Sequence, residues 1–239
     1  THGTMVPAAA GRPGTEERSV TDRTAAHVPD GASQLDATDD GDLAPRPLAD
    51  RTLGRLLVVL GLVGFAGSLA LAIERYLSLV DPDHQPTCSI NALLTCSPAM
   101  ASDAGSLLGF PNPYIGLGAF PVVVTIGVAL LAVPGIALPR WFWRTFLAVA
   151  TAAMGLIGYL VYTSLEVLVA LCPYCMVVWF ATLPIFWFLL VRNVQDGLFG
   201  GTASSGIVRQ RGLLLTAAFV ALLAWIVVGL GPSIAGAFA

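Results

Sequence analysis

The chain has 239 residues, 56% hydrophobic and only 11% charged, a balance too apolar for a soluble domain that points to a membrane protein. Its net charge of −3 is unevenly spread: residues 1–50 hold nine acids and four arginines, residues 51–239 six acids and eight arginines. There is no lysine and no basic cluster, which argues against nucleic acid as a partner.

Residues 1–50 are rich in Gly, Pro, Thr, Asp and Ala, with no apolar run and no signal-peptide core. They are expected to form a disordered acidic tail. The first span is expected over about residues 56–80, with Glu74 and Arg75 near its far end, where long side chains snorkel to the interface. Residues 81–112 form a loop without Lys or Arg that carries Cys88 and Cys96. Short interfacial helices over 89–94 and 99–108 fit its pattern, and His84 reads as a solvated side chain. The second span is expected over 114–138, kinked at Pro121, with Pro134 as a stop signal near its end. Arg140 and Arg144 flank Trp141, Phe142 and Trp143, a headgroup-level anchor. Spans three and four are expected over 145–171 and 173–191, with Glu166 near the outer end of the third and Pro184 as a kink in the fourth. Residues 196–211 read as a loop and 212–230 as a fifth span. Membrane lipid is therefore the surrounding partner, and the fold class is all-α integral membrane.

Leu171-Cys172-Pro173-Tyr174-Cys175-Met176 joins two of these apolar runs. Two cysteines three apart share one face of a helical turn, close enough for a disulfide. Pro173 suits the first helical position, which sets Cys172 at the positive end of a helix dipole, where a thiolate is stabilised. That pattern points to a redox-active dithiol at a membrane surface. A zinc site needs four ligands, and the eight-residue offset of Cys88 and Cys96 is not a knuckle spacing. Covalent haem attachment wants His where Met176 stands. Two alternatives stay open: a non-enzymatic membrane protein with two structural disulfides, and a metal-binding membrane protein.

Orientation follows from arginine. Arg51 and Arg55, Arg140 and Arg144, and Arg192, Arg209 and Arg211 all fall on one side of a five-span chain, which the positive-inside rule makes cytoplasmic. The 1–50 tail and the 196–211 loop share that side. All four cysteines then face out, where disulfides form and persist. The expected place is a multi-pass cell membrane protein, of inner or plasma membrane, with an extracytoplasmic active site.

Over about residues 51–193 the sequence resembles the bacterial branch of the vitamin K epoxide reductase family. The resemblance rests on Cys88-Ser-Ile-Asn91, Cys96-Ser-Pro-Ala-Met-Ala-Ser102, Gly109-Phe-Pro-Asn112-Pro-Tyr-Ile-Gly116 and Cys172-Pro-Tyr-Cys175. It implies a four-helix bundle around a quinone, here over 51–195, plus a fifth transmembrane helix. It implies a thiol–quinone oxidoreductase whose electron acceptor is a menaquinone- or ubiquinone-type quinone. Cys172 and Cys175 match the active-site pair, with Cys175 next to the quinone. Cys88 and Cys96 match the shuttle pair, Cys88 facing the outside donor and Cys96 attacking Cys172. Asn112 matches an asparagine that hydrogen-bonds a quinone oxygen, though its place between two prolines also suits a turn. Ser102 matches a serine or threonine near the pocket and also suits a helix cap. Trp179 stands where the vertebrate enzyme has a tyrosine that helps hold the quinone; an indole donates but does not accept. No thioredoxin-like domain follows the fifth span up to Ala239, so the expected electron donor is a separate extracytoplasmic thioredoxin-fold thiol oxidase.

Overall fold

The computed structural model describes residues 48–197, except positions 82, 92, 134 and 137, and residues 202–237. The tail expected over 1–50 lies almost wholly outside the described residues. Its last residue, Asp50, opens the first helix, and Leu48 is buried.

The described residues are all-α, with five helices long and apolar enough to cross a membrane. Helix α1, Asp50–Val80, has 31 residues, well beyond the ~20 that the hydrocarbon core requires. Asp50 in its first turn complements the positive end of the dipole. It stops at Asp81, whose extended backbone is what a residue before proline prefers. A short helix α2, Ser97–Ala101, follows in the loop. Helix α3, Pro113–Ala132, starts on a proline, whose missing N–H needs no partner there. It ends at Ala132 rather than near 138, since Pro134 cannot continue it. Helix α4, Arg140–Tyr162, passes into a π-helical turn, Thr163–Val167. Helix α5 is Pro173–Gln195. A short helix α6, Thr202–Arg209, occupies much of the segment expected to be a plain loop, and α7 is Arg211–Ala237.

Four of these helices, α1, α3, α4 and α5, pack into a bundle, with α1 against α3 and α5, and α4 against α5. The α1–α3 contact is set by glycine. A Cβ on Gly54 would lie 3.0 Å from the Gly127 carbonyl oxygen, and one on Gly127 2.8 Å from the Gly54 carbonyl oxygen. In lipid, burying apolar side chains gives little drive for association, so small residues that let backbones touch decide which helices pair. Away from the cysteines, Leu53, Leu57, Leu130, Leu147 and Leu189 form a common core. There Asn193 donates to the carbonyls of Trp143 at 3.1 Å and Leu189 at 2.9 Å. The Arg192 guanidinium sits 5.3 Å from the Trp143 ring centroid. Helix α7 packs on α5 and the π turn: Phe219 stacks on Phe180 at 5.6 Å, and Gly229 meets Leu165.

The cysteine loop departs most from expectation. No described residue between 89 and 94 is helical. The helix expected over 99–108 breaks into α2 and a 3₁₀ turn, Asp103–Ser106, because the Ser102 side chain caps a new start. The third span ends early for a related reason. After the π turn Val169 turns left-handed, at φ 49°, and Leu171 runs extended. For a β-branched residue that conformation is costly and must be held by its surroundings.

Candidate redox site

The site is assembled at the two chain breaks just described. Asn91 accepts from the backbone N–H groups of Leu93, at 2.9 Å, and Leu94, at 2.7 Å. This tightens a turn in the way Asn side chains favour. The turn presents Leu93 to Thr95 as a short extended piece. Leu171 donates to the Leu93 carbonyl at 2.7 Å, and Thr95 donates to the Leu171 carbonyl at 2.9 Å. This parallel bridge, Leu94 to Leu171, stands two residues before Cys96 on one side and one before Cys172 on the other. It carries the two sulfurs together: Cys96 Sγ lies 2.8 Å from Cys172 Sγ.

Cys88 and Cys96 are disulfide-bonded, and Cys172 and Cys175 are free thiols. Cys172 is the N-cap of α5, and its sulfur accepts from the Cys175 N–H at 3.4 Å. A hydrogen bond from the Cys175 side chain holds the Cys172 thiol below its usual range, with help from the N–H groups of Cys175 and Tyr174. Burial pushes it the other way. Cys96, Cys172 and Cys88 are all buried, the last 3% exposed. In this state the Cys88 sulfur is covered rather than presented at the surface: the disulfide packs with Leu71, Met100 and Cys172.

Beside the sulfurs runs a cavity of about 810 Å³, within the usual range for small-molecule sites. Its walls are almost wholly apolar, and Arg75 is the one charged side chain among its lining residues. Cys175 lines it; Cys172 does not. The two active-site sulfurs thus face different neighbours, Cys172 the loop disulfide and Cys175 the cavity.

The other expected residues all line this cavity, with distinct local duties. Asn112 donates to the Ala104 carbonyl at 2.7 Å and accepts from Leu107 N–H at 3.3 Å, so it does shape the turn. An asparagine amide has two N–H groups, which leaves a second for a ligand. Ser102 gives its one hydroxyl proton to the Ala99 carbonyl, at 3.0 Å, and accepts from Gly105 N–H at 3.2 Å. Donation from Ser102 to a ligand would require giving up the Ala99 bond. Trp179 is buried with Leu171 and Val161.

Two sequence readings fail here. Glu74 does not snorkel, and His84 is not simply solvated: Glu74 is buried at 5% exposure and holds His84 Nε2 at 2.8 Å. Asn91, Leu93, Thr95 and Leu171 were not picked out as site residues either. Asparagine's own preference for turns is the one local signal that could have marked this turn, and nothing local to residue 171 foretold its backbone partner.

An all-α multi-pass membrane protein whose two cysteine pairs meet beside an apolar cavity is, by class, a membrane redox protein. The chain matches the model of the vitamin K epoxide reductase family over residues 55–190. It belongs to that family. No individual curated protein matches the chain significantly.

Proposed function

We propose that the protein is a thiol:quinone oxidoreductase that feeds disulfides into exported proteins. A separate extracytoplasmic thioredoxin-fold thiol oxidase reduces the Cys88–Cys96 disulfide and is itself oxidised. Cys96 thiolate then attacks Cys172 of a Cys172–Cys175 disulfide, and Cys175 leaves as thiolate. Cys88 attacks Cys96, closing the loop disulfide and releasing Cys172. Two electrons have then moved inward, and the resulting bonding pattern is a loop disulfide beside a free active-site pair. Closing Cys172–Cys175 again releases two electrons and two protons, which a menaquinone- or ubiquinone-type quinone takes up as quinol.

The observation that carries this reading is the 2.8 Å approach of Cys96 Sγ to Cys172 Sγ, with Cys175 on the cavity wall. Thiol–disulfide exchange requires sulfur-to-sulfur access of this kind and an attacking thiolate. The cavity suits a quinone by its apolar walls, with Asn112 among its lining residues and one amide N–H left to offer. The cysteine end is assigned to the extracytoplasmic side because the clustered arginines lie at the other end. The metal-binding alternative is weakened because two of the three converging cysteines, Cys88 and Cys96, are bonded to each other and a disulfide sulfur is not a thiolate ligand.

The test is to replace Cys88 or Cys96 with Ala. Oxidation of a thioredoxin-fold dithiol protein should stop, while dithiothreitol should still drive quinone reduction through Cys172. Loss of both activities would assign Cys88–Cys96 a structural role.

A further inference from the structure

A polar cluster beside the sulfurs has no part in the exchange chemistry. Glu74 stands near the end of α1, buried, with both oxygens engaged. One oxygen pairs with His84 Nε2 at 2.8 Å. The other accepts from the Thr87 backbone N–H at 3.2 Å and from the Thr87 hydroxyl. A threonine hydroxyl has a single proton. Since Thr87 gives it to Glu74, the bond of 3.0 Å between Thr87 Oγ1 and Tyr174 Oη must be donated by the tyrosine. A continuous chain thus runs from Tyr174, inside Cys172-Pro-Tyr-Cys175, through Thr87 to Glu74. Thr87 is the residue before Cys88.

We propose that Glu74 is a positioning residue: its carboxylate latches the segment His84 to Cys88 against the active-site turn, holding the loop disulfide inward at Cys172 and closing it to the outside. The two ends of the loop piece are then held separately. The Leu94–Leu171 bridge fixes the Cys96 side, and the Glu74 latch fixes the Cys88 side. Cys88 at 3% exposure cannot meet a protein thiol in this state. The partner therefore reacts only after the Glu74 contacts have opened, and the latch sets how often that happens. A carboxylate suits the task because charged acceptors make stronger hydrogen bonds than neutral ones, and because it can accept from three donors in two directions. The consequence for turnover rests on the relay proposed above; the latch itself does not.

The measurement is the rate at which tris(2-carboxyethyl)phosphine, a charged phosphine that cannot cross the bilayer, reduces Cys88–Cys96 in the purified full chain. It is made on a Cys172→Ser, Cys175→Ser background so that no internal thiol opens the bridge. Glu74→Ala and Thr87→Val should each speed reduction about tenfold, the effect of losing ~1.4 kcal/mol of closure. Glu74→Gln, which keeps one acceptor oxygen, should fall between them and the parent. With all four cysteines present, dithiothreitol-driven quinone reduction in Glu74→Ala and Thr87→Val should stay at or above the parent rate, because dithiothreitol does not need the loop. Phosphine rates unchanged in both variants would overturn the proposal. So would acceleration accompanied by loss of dithiothreitol-driven turnover, which would mean that the bundle had loosened. Should Glu74→Ala fail to fold, Thr87→Val decides alone. If the parent chain reduces no quinone, the relay reading fails while the phosphine rates still judge the latch.

Discussion

Asn112→Ala separates two duties that the structure places on one side chain. The first is local. The substitution removes the bond to the Ala104 carbonyl at 2.7 Å and the acceptor for Leu107 N–H at 3.3 Å. Ala104 is buried, so its carbonyl loses a partner that water replaces poorly, a cost of ~1–3 kcal/mol. The second duty is proposed: the remaining amide N–H meets a quinone oxygen as negative charge builds there. Removing such a donor costs ~2.7–4 kcal/mol of transition-state stabilisation, or about 10²–10³ in turnover. Dithiothreitol-driven quinone reduction, monitored by quinone absorbance, reads the second. Thermal unfolding of the same variant reads the first. Asn112→Asp provides the control, since a carboxylate still accepts from Leu107 but has no N–H to donate. Both variants should lose turnover steeply, while thiol trapping still finds the Cys88–Cys96 disulfide. Lowered thermal stability with near-normal turnover would refute the donor role and leave Asn112 as a turn former.

The two active-site sulfurs should differ in colour chemistry. Cys172→Ala leaves Cys175 on the cavity wall, and with quinone it should give a visible charge-transfer band that Cys175→Ala lacks; a band in the latter would reverse the assignment. The pH dependence of Cys172 alkylation, followed by peptide mass, should have its midpoint below that of an ordinary cysteine, because the Cys175 side chain and the helix-start N–H groups favour the thiolate. The sign follows: a depressed folded pKa adds stability that is present above the unfolded value and lost as pH falls through the folded one. A midpoint at or above the ordinary value would contradict the hydrogen bonding described. Finally, on intact cells treated with a reductant, a membrane-impermeant maleimide should label Cys88, now freed from its buried disulfide; labelling only after lysis would place the cysteines on the cytoplasmic side.

The sequence by itself determined the membrane character, the number of spans and the helix start at Cys172. These follow from local quantities: run length against bilayer thickness, proline positions and the N-terminal preference of proline. The cysteine motifs also carry the resemblance to the family. The end of α1 at Val80 and the start of α5 at Pro173 follow the same local signals, whereas α1 begins at Asp50, before the expected 56, and α5 runs on to Gln195, past the expected 191. The tertiary structure decided what depends on two distant segments meeting. The pairing of Leu94 with Leu171 joins residues far apart in the chain and uses backbone groups, which no side-chain pattern encodes. It also explains why span three stops short: Val169 and Leu171 leave the helix to make that contact. Glu74 illustrates the same limit. An acid near a span end ordinarily seeks water. Here Thr87 and His84, 13 and 10 residues away, supply the bonds that water would have made. A buried charge becomes tolerable only when such partners converge on it, and that convergence is a property of the folded chain.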